Sequence, residues 1–177
     1  MTTKWTVDLA HSEVGFTVKH MMISKAKGTF DKFDANIVAD VEDLTGAQIE
    51  VTIDAASINT RNEDRDNHLR SADFFHVEEH PTITFIATDI KGRGSNEYDV
   101  TGDLTMNGHT KQVTLDVTFE GQSKDPMSGG IVAGFSGETT ISRKEFGLTW
   151  NAAVETGGVL VSDDVKIHFE LELHKAE

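Results

Sequence analysis

The sequence contains no cysteine, only two prolines and one tyrosine, and no long apolar run. Without thiols there is no disulfide, no thiolate metal site and no cysteine nucleophile. Its longest apolar runs, such as Ala152-Ala153-Val154, are a few residues long, against the roughly 20 that a membrane-spanning helix requires. Positive charge is scarce too: 16 Lys+Arg against 30 Asp+Glu leave a formal net charge of −14. That balance argues against nucleic acid or an anionic membrane surface as the main partner, because phosphates are repelled except where basic residues cluster. After Met1-Thr2-Thr3-Lys4-Trp5 there is no apolar export core and no small-residue cleavage site. The expected compartment is therefore the cytoplasm, with export expected only if a signal segment has been removed.

What is present is a single globular domain over residues 1–177, without repeats, low-complexity tracts or linkers. Nearly every segment alternates with period two. The cleanest sets are Ala47/Ile49/Val51/Ile53/Ala55, Tyr98/Val100/Gly102/Leu104/Met106, Val113/Leu115/Val117/Phe119 and Val165/Ile167/Phe169/Leu171/Leu173, each interleaved with polar residues. Such alternation is that of a strand with one dry and one wet face, not of a helix. Further strands are predicted around Val14 to His20, Phe30 to Val41, Ile83 to Ala87 and Ile131 to Ile141. The apolar parity slips between Phe30 and Phe33, which predicts a bulge or bend. Hairpin turns are expected at Gly92 to Asn96 and at Asn107-Gly108, and a longer connection from Gly121 to Gly130.

One segment breaks this rhythm. Thr60-Arg61-Asn62-Glu63 has the spacing of a capping box, and the polar residues to Arg70 place Arg61/Arg65 and Asp64/His68 at i,i+4. A short helix near 61–70 is predicted, ending on the rings of Phe74 and Phe75. Eight or nine antiparallel strands with one helix fit a closed barrel or a sandwich. An eight-stranded barrel is either filled by its own side chains or holds one small ligand. Ten Phe and two Trp beside a single Tyr would line a dry cavity suited to a long apolar molecule. Composition alone leans to the filled alternative.

No catalytic motif stands out. His76-Val77-Glu78-Glu79-His80 spaces two histidines by four, but its order is not His-Glu-x-x-His, and Pro81 opposes helix at His80. A solvated connection is expected there, and no metal site. Gly92-Arg93-Gly94 lacks the third glycine of a dinucleotide loop, and Gly134-Phe135-Ser136-Gly137 falls one residue short of a nucleophile elbow. Both read as strand glycines. The charge map is more informative. Lys19, Lys25, Lys27 and Lys32 are four of eleven lysines, and Arg61, Arg65 and Arg70 three of five arginines. With His20 and His68 they form two basic islands that could neutralise an anionic head group. Equally, they could pair with Asp31, Asp34, Asp64 and Asp66 nearby.

The pattern Asp8-x-x-His11-Ser12-x-Val14-x-Phe16-x-Val18-Lys19-His20, then Gly28-x-Phe30, resembles the opening of the YceI-like family. Ser57-Ile58-Asn59-Thr60, Arg65-Asp66-x-His68-Leu69, Asp73-Phe74-Phe75 and Pro81-x-Ile83-x-Phe85 continue the resemblance. Gly102-x-Leu104-Thr105-x-x-Gly108, Arg143-x-x-Phe146-Gly147-Leu148-x-Trp150-Asn151, Glu155-Thr156-Gly157-Gly158 and Val161-x-Asp163-x-Val165 complete it over essentially the whole chain. The resemblance implies an extended, lipocalin-like, antiparallel eight-stranded β-barrel. It implies a binding protein rather than an enzyme, often dimeric, that holds a polyprenyl phosphate or isoprenoid quinone for carriage or storage. No cofactor is implied beyond that lipid.

On this basis the tail would lie against Val14, Phe16, Val18, Ile83, Phe85, Phe135, Ile141, Leu148 and Trp150, with Phe74 and Phe75 at the mouth. Lys19, His20, Arg65, His68 and Arg143 are the candidates near a polar head, Arg65 and His68 foremost because they stand in the most specific block. Two rivals come from other classes. An enzyme acting on an isoprenoid or small apolar substrate would need a polar residue in the tunnel, with His20 the best candidate. A stress-related structural protein would have a filled barrel and no lipid.

Overall fold

A computed structural model describes residues 3–20, 23–148 and 161–176, with only the backbone of His20 and Val161. The described residues form eleven strands. They are β1 (Thr3–Val7), β2 (Glu13–His20), β3 (Ser24–Phe30), β4 (Phe33–Asp40), β5 (Asp43–Asp54) and β6 (Ile58–Asn59), then β7 (Thr82–Gly94), β8 (Glu97–Met106), β9 (His109–Lys124), β10 (Ile131–Ser142) and β11 (Val161–Lys175). All pairings are antiparallel, and the order β1-β4-β5-β7-β8-β9-β10-β11 closes on itself through β1–β11. Eight strands thus make a closed barrel, which removes exposed sheet edges around most of the circumference.

Alternation is what sends the apolar residues inward. On β8, Tyr98, Val100, Gly102, Leu104 and Met106 are buried while the residues that alternate with them are not. Phe85 of β7 faces Leu104 of β8 on one side and Val51 of β5 on the other, so neighbouring strands stack their dry positions in register. Two tight turns follow the expected chemistry: Ser95-Asn96 and Asn107-Gly108 all have positive φ, as type I′ hairpins require. The long connection is shorter than expected. Gly121 remains within β9, with φ +123, beside the register shift between Gly134 and Phe135. It marks a bulge rather than the start of the loop.

β11 is shared by two strands. Its C-terminal end pairs with β1, from Val7↔Leu173 to Trp5↔Lys175, and its earlier part pairs with β2, from Glu13↔Glu170 to His20↔Val161. The handover is a single 3-10 turn at Leu9–His11. β2 continues into β3, whose outer edge carries only the two-residue β6. The parity slip after Phe30 is the break between β3 and β4, and it lets both Phe30 and Phe33 be buried. At Gly28 a Cβ would strike the ring of Phe16 and meet Thr60 Cγ2 at 2.9 Å, so only glycine lets that ring lie across β3.

Helix α1 spans Glu63–Arg70, two residues later than the sequence spacing predicts. Its cap is Asn62, whose side chain accepts from Arg65 N at 3.0 Å, not Thr60. Arg61 takes a left-handed φ of 63°, which turns Thr60 away from the cap position. Thr60 instead donates through both its backbone N–H (2.8 Å) and its hydroxyl (2.5 Å) to Asp66, a carboxylate buried on the inner face of α1. No described helix is long and apolar enough to cross a membrane.

Candidate functional site

The barrel is not filled. Side chains from the barrel strands, β2, β3 and the α1 region enclose a cavity of about 230 Å³. By comparison, an apolar void of roughly 150 Å³ can stay dry and admit a benzene-sized guest. Among the described residues, the side chains around it are apolar apart from Thr139 and Arg143. Water gains little in such a space, because it finds almost no hydrogen-bond partner.

The expected tail residues come together. Val14, Phe16, Val18, Phe74, Phe75, Ile83, Phe85, Phe135, Ile141 and Leu148 all line the cavity, while Trp150 lies outside the described residues. Phe16 and Phe30 sit 5.7 Å apart between ring centroids, and Phe75 meets Phe30 edge-on at 6.0 Å, giving one wall a run of three rings. Phe30, Phe33 and Leu69 line the cavity as well and were not anticipated. The parity slip obscured the two Phe. Leu69 had a readable signal, since it is the sole aliphatic residue of an otherwise polar helix.

The basic candidates divide. Arg143, just after β10, lines the cavity and is only 3% exposed. Its Nε donates to Ser162 O at 2.8 Å and its Nη1 to Leu148 O at 2.6 Å. Gly147, at φ +72, closes the 3-10 turn Arg143–Phe146 and so brings the Leu148 carbonyl back to the guanidinium. Desolvation pushes the Arg143 pKa below its ordinary value, and Asp163 acts in the opposite sense. Carbonyl dipoles thus hold a cation in a dry wall.

Lys19, Arg65 and His68 do not line the cavity. Lys19 is exposed and stands opposite Lys25 across the β2–β3 hairpin, and the side chain of His20 is outside the described residues. Arg65 bonds Thr60 through Nε (2.8 Å) and Nη2 (2.7 Å). His68 pairs with Asp73 at 2.9 Å and packs its ring edge-on against Phe74 at 5.1 Å. Arg70 holds the Ala56 and Ile58 carbonyls. The arginine island therefore neither gathers at the cavity nor pairs with Asp64 and Asp66; it ties α1 to the segment before it.

Among the described residues, two clusters carry metal-ligating atoms within 4.8 Å of one another: His76/Glu79/His80 and Asp8/Glu172/His174. The first lies on one turn, closed by His80 N to His76 O at 2.9 Å, immediately before Pro81. Its groups are loosely placed, with His76 Nδ1 3.8 Å from a Glu79 carboxylate that is 70% exposed. The second joins opposite ends of the sequence.

Residues 5–173 match the YceI-like domain. A UPF0312 protein of Staphylococcus epidermidis is 46% identical over 170 residues, 96% of each chain. The crystal structure of Burkholderia cenocepacia BcnA superposes with a TM-score of 0.82 at 30% identity, covering 94% of this chain and 98% of that one. A polyisoprenoid binding domain from Saccharophagus degradans, implicated in plant cell wall breakdown, has a TM-score of 0.72 over 98% of this chain and 99% of its own, at 15% identity. That last likeness is one of fold.

Proposed function

The chain belongs to the YceI-like domain family, and from that premise we propose that it binds an isoprenoid lipid inside its barrel, for carriage or storage. The observation that carries this reading is the cavity, whose described lining is apolar apart from Thr139 and the one cation Arg143. The name of the Saccharophagus degradans fold relative, a polyisoprenoid binding domain, is consistent with such a guest. An unbranched polar ligand would leave its donors and acceptors unmatched against these walls. A prenyl chain has none to match.

Affinity would come from burying the tail, at roughly 25 cal/mol per Å² of apolar surface before the cost of ordering the chain. The head would lie toward Arg143, where a phosphate gains a charge-assisted bond and a quinone carbonyl a weaker one. The phosphate form is therefore the favoured ligand. Lys19, Arg65 and His68 would contribute little, because they lie outside the cavity lining.

Native mass spectrometry of the purified protein, followed by solvent extraction, tests the proposal. The expected result is a mass increment that releases an isoprenoid on extraction. Protein that carries no lipid, and takes up neither added polyprenyl phosphate nor an isoprenoid quinone, contradicts it.

A further inference from the structure

At the handover from β1 to β2, four ligating side chains converge from the two ends of the sequence. Asp8 caps the 3-10 turn Leu9–His11 and His11 ends it, and Glu172 and His174 stand two apart on the outer face of β11. Residues i and i+2 of a strand point to the same side, so the β11 pair is aimed jointly at the turn. The backbone fixes this meeting independently of the side chains. Asp8 N donates to Glu172 O at 2.9 Å, Glu172 N to Ser12 Oγ at 2.9 Å, and Thr6 pairs with His174 in the ladder.

Asp8, Glu172 and His174 offer ligand atoms that all lie within 4.8 Å of one another, and His11 adds a fourth through the two carboxylates. His11 Nδ1 is 2.8 Å from Asp8 Oδ2 and 3.2 Å from Glu172 Oε2. His174 Nε2 is 3.1 Å from the same Asp8 oxygen and 3.7 Å from the same Glu172 oxygen. A Zn²⁺ ion with bonds of about 2.0–2.1 Å sets neighbouring ligand atoms about 3.3–3.4 Å apart. The four histidine–carboxylate gaps straddle that value, so an ion would take the place of the protons that bridge them as the exposed His11 swings in.

We propose that Asp8, His11, Glu172 and His174 form a binding site for a divalent transition ion such as Zn²⁺, which staples the β1–β2 turn to β11. Two imidazoles with two carboxylates are a donor set for zinc rather than for calcium or magnesium, which take all-oxygen shells. The division of labour within Asp8 fits this role. Its Oδ1 accepts from Ala10 N at 3.0 Å, which fixes the carboxylate's orientation and leaves Oδ2 to face both histidines. The site is open to solvent, His11 being 67% exposed, so an ion can enter without disturbing the barrel. The −14 net charge of the protein favours cation capture. The site lies on the outside and its occupancy does not depend on lipid.

The test is calorimetric titration of EDTA-stripped full-length protein with Zn²⁺, alongside thermal melts and Co²⁺ substitution. One ion should bind per chain, raise the melting temperature and give Co²⁺ the intense visible absorption of four-coordinate geometry. The variants His11→Gln and His174→Gln, singly and together, should each weaken binding at least tenfold while keeping the wild-type circular dichroism spectrum. His11→Gln is the safer of the two, because its side chain is mostly in water. The pair His76→Gln/His80→Gln should bind zinc as the wild type does. Absence of saturable binding overturns the proposal, as does zinc affinity that survives His11→Gln/His174→Gln or that is lost in His76→Gln/His80→Gln.

Discussion

Just beyond β10, a guanidinium is buried in the cavity wall; on α1, another lies outside the barrel in solvent. Arg143 is 3% exposed and anchored by the Ser162 and Leu148 carbonyls, whereas Arg65 is exposed and spends its bonds on Thr60. Their surroundings give the same group different uses. In the dry wall, burial leaves the charge poorly screened and Asp163 already acts on it, so an anion that reaches it interacts more strongly than it would in water. On α1, water already screens the charge, and what the guanidinium supplies is a brace for the helix start. Desolvation, rather than proximity to other cations, is thus what sets Arg143 apart from Arg65.

The strongest way to break this comparison is to abolish the wall that both ends share. Phe16→Asp puts a carboxylate among the Phe16–Phe30–Phe75 rings, and we expect loss of all lipid retention, whatever the head group, by native mass spectrometry of protein with an intact circular dichroism spectrum. Phe16 is only half-buried, which makes this substitution less threatening to folding than one at Phe85.

A sharper cut removes charge at one end only. Arg143→Met should lower affinity for a polyprenyl phosphate about tenfold or more, equivalent to about 1.4 kcal/mol, and leave a quinone within twofold. It should also cost about 1–3 kcal/mol of stability in urea unfolding, because the Leu148 and Ser162 carbonyls lose their donors. Arg65→Ala should change neither ligand's affinity by more than twofold, with a stability loss of about 1 kcal/mol from its bonds to Thr60.

The smallest effect is one of pH. Hydrogen bonds from Ser142 Oγ (2.6 Å) and Lys144 N (3.2 Å) hold the Asp163 carboxyl below its ordinary pKa. A depressed pKa contributes stability that is present above the unfolded value of 3.8 and lost as pH falls through the folded one. Acid melts of the wild type should therefore fall more steeply below pH 3.8 than those of Asp163→Asn, whose remaining loss comes from other depressed carboxylates such as Asp43 and Asp125. An identical acid limb in both proteins would separate Asp163 from the anchoring of the Arg143 turn.

The barrel was legible because period-two alternation is a local signal, and so was the lining of the cavity, whose inward parity follows from it. The hairpins at Ser95-Asn96 and Asn107-Gly108 were legible for the same reason, since φ > 0 demands particular residues. Other features depend on contacts far along the chain. Nothing local tells Phe30 and Phe33 that a strand break will turn both inward. Clustered arginines look like an anion site, yet Arg65 and Arg70 are used up by Thr60, Ala56 and Ile58 once α1 folds back. Thr60 has capping-box spacing, but the left-handed Arg61 redirects it to Asp66. The Asp8–Glu172 meeting joins residues 164 apart through strand pairing alone, which no spacing rule can read. Hollowness is likewise beyond composition, because the same rings can fill a barrel or line it.

The central claim is an isoprenoid chain in the cavity with its head against Arg143, and a paired titration tests it most directly. Wild type, Arg143→Met and Arg65→Ala would each be titrated with a polyprenyl phosphate and with the matching polyprenol. The phosphate should bind more tightly than the alcohol in wild type and in Arg65→Ala, and this preference should collapse in Arg143→Met. A phosphate preference that survives Arg143→Met, or that disappears in Arg65→Ala instead, would contradict it.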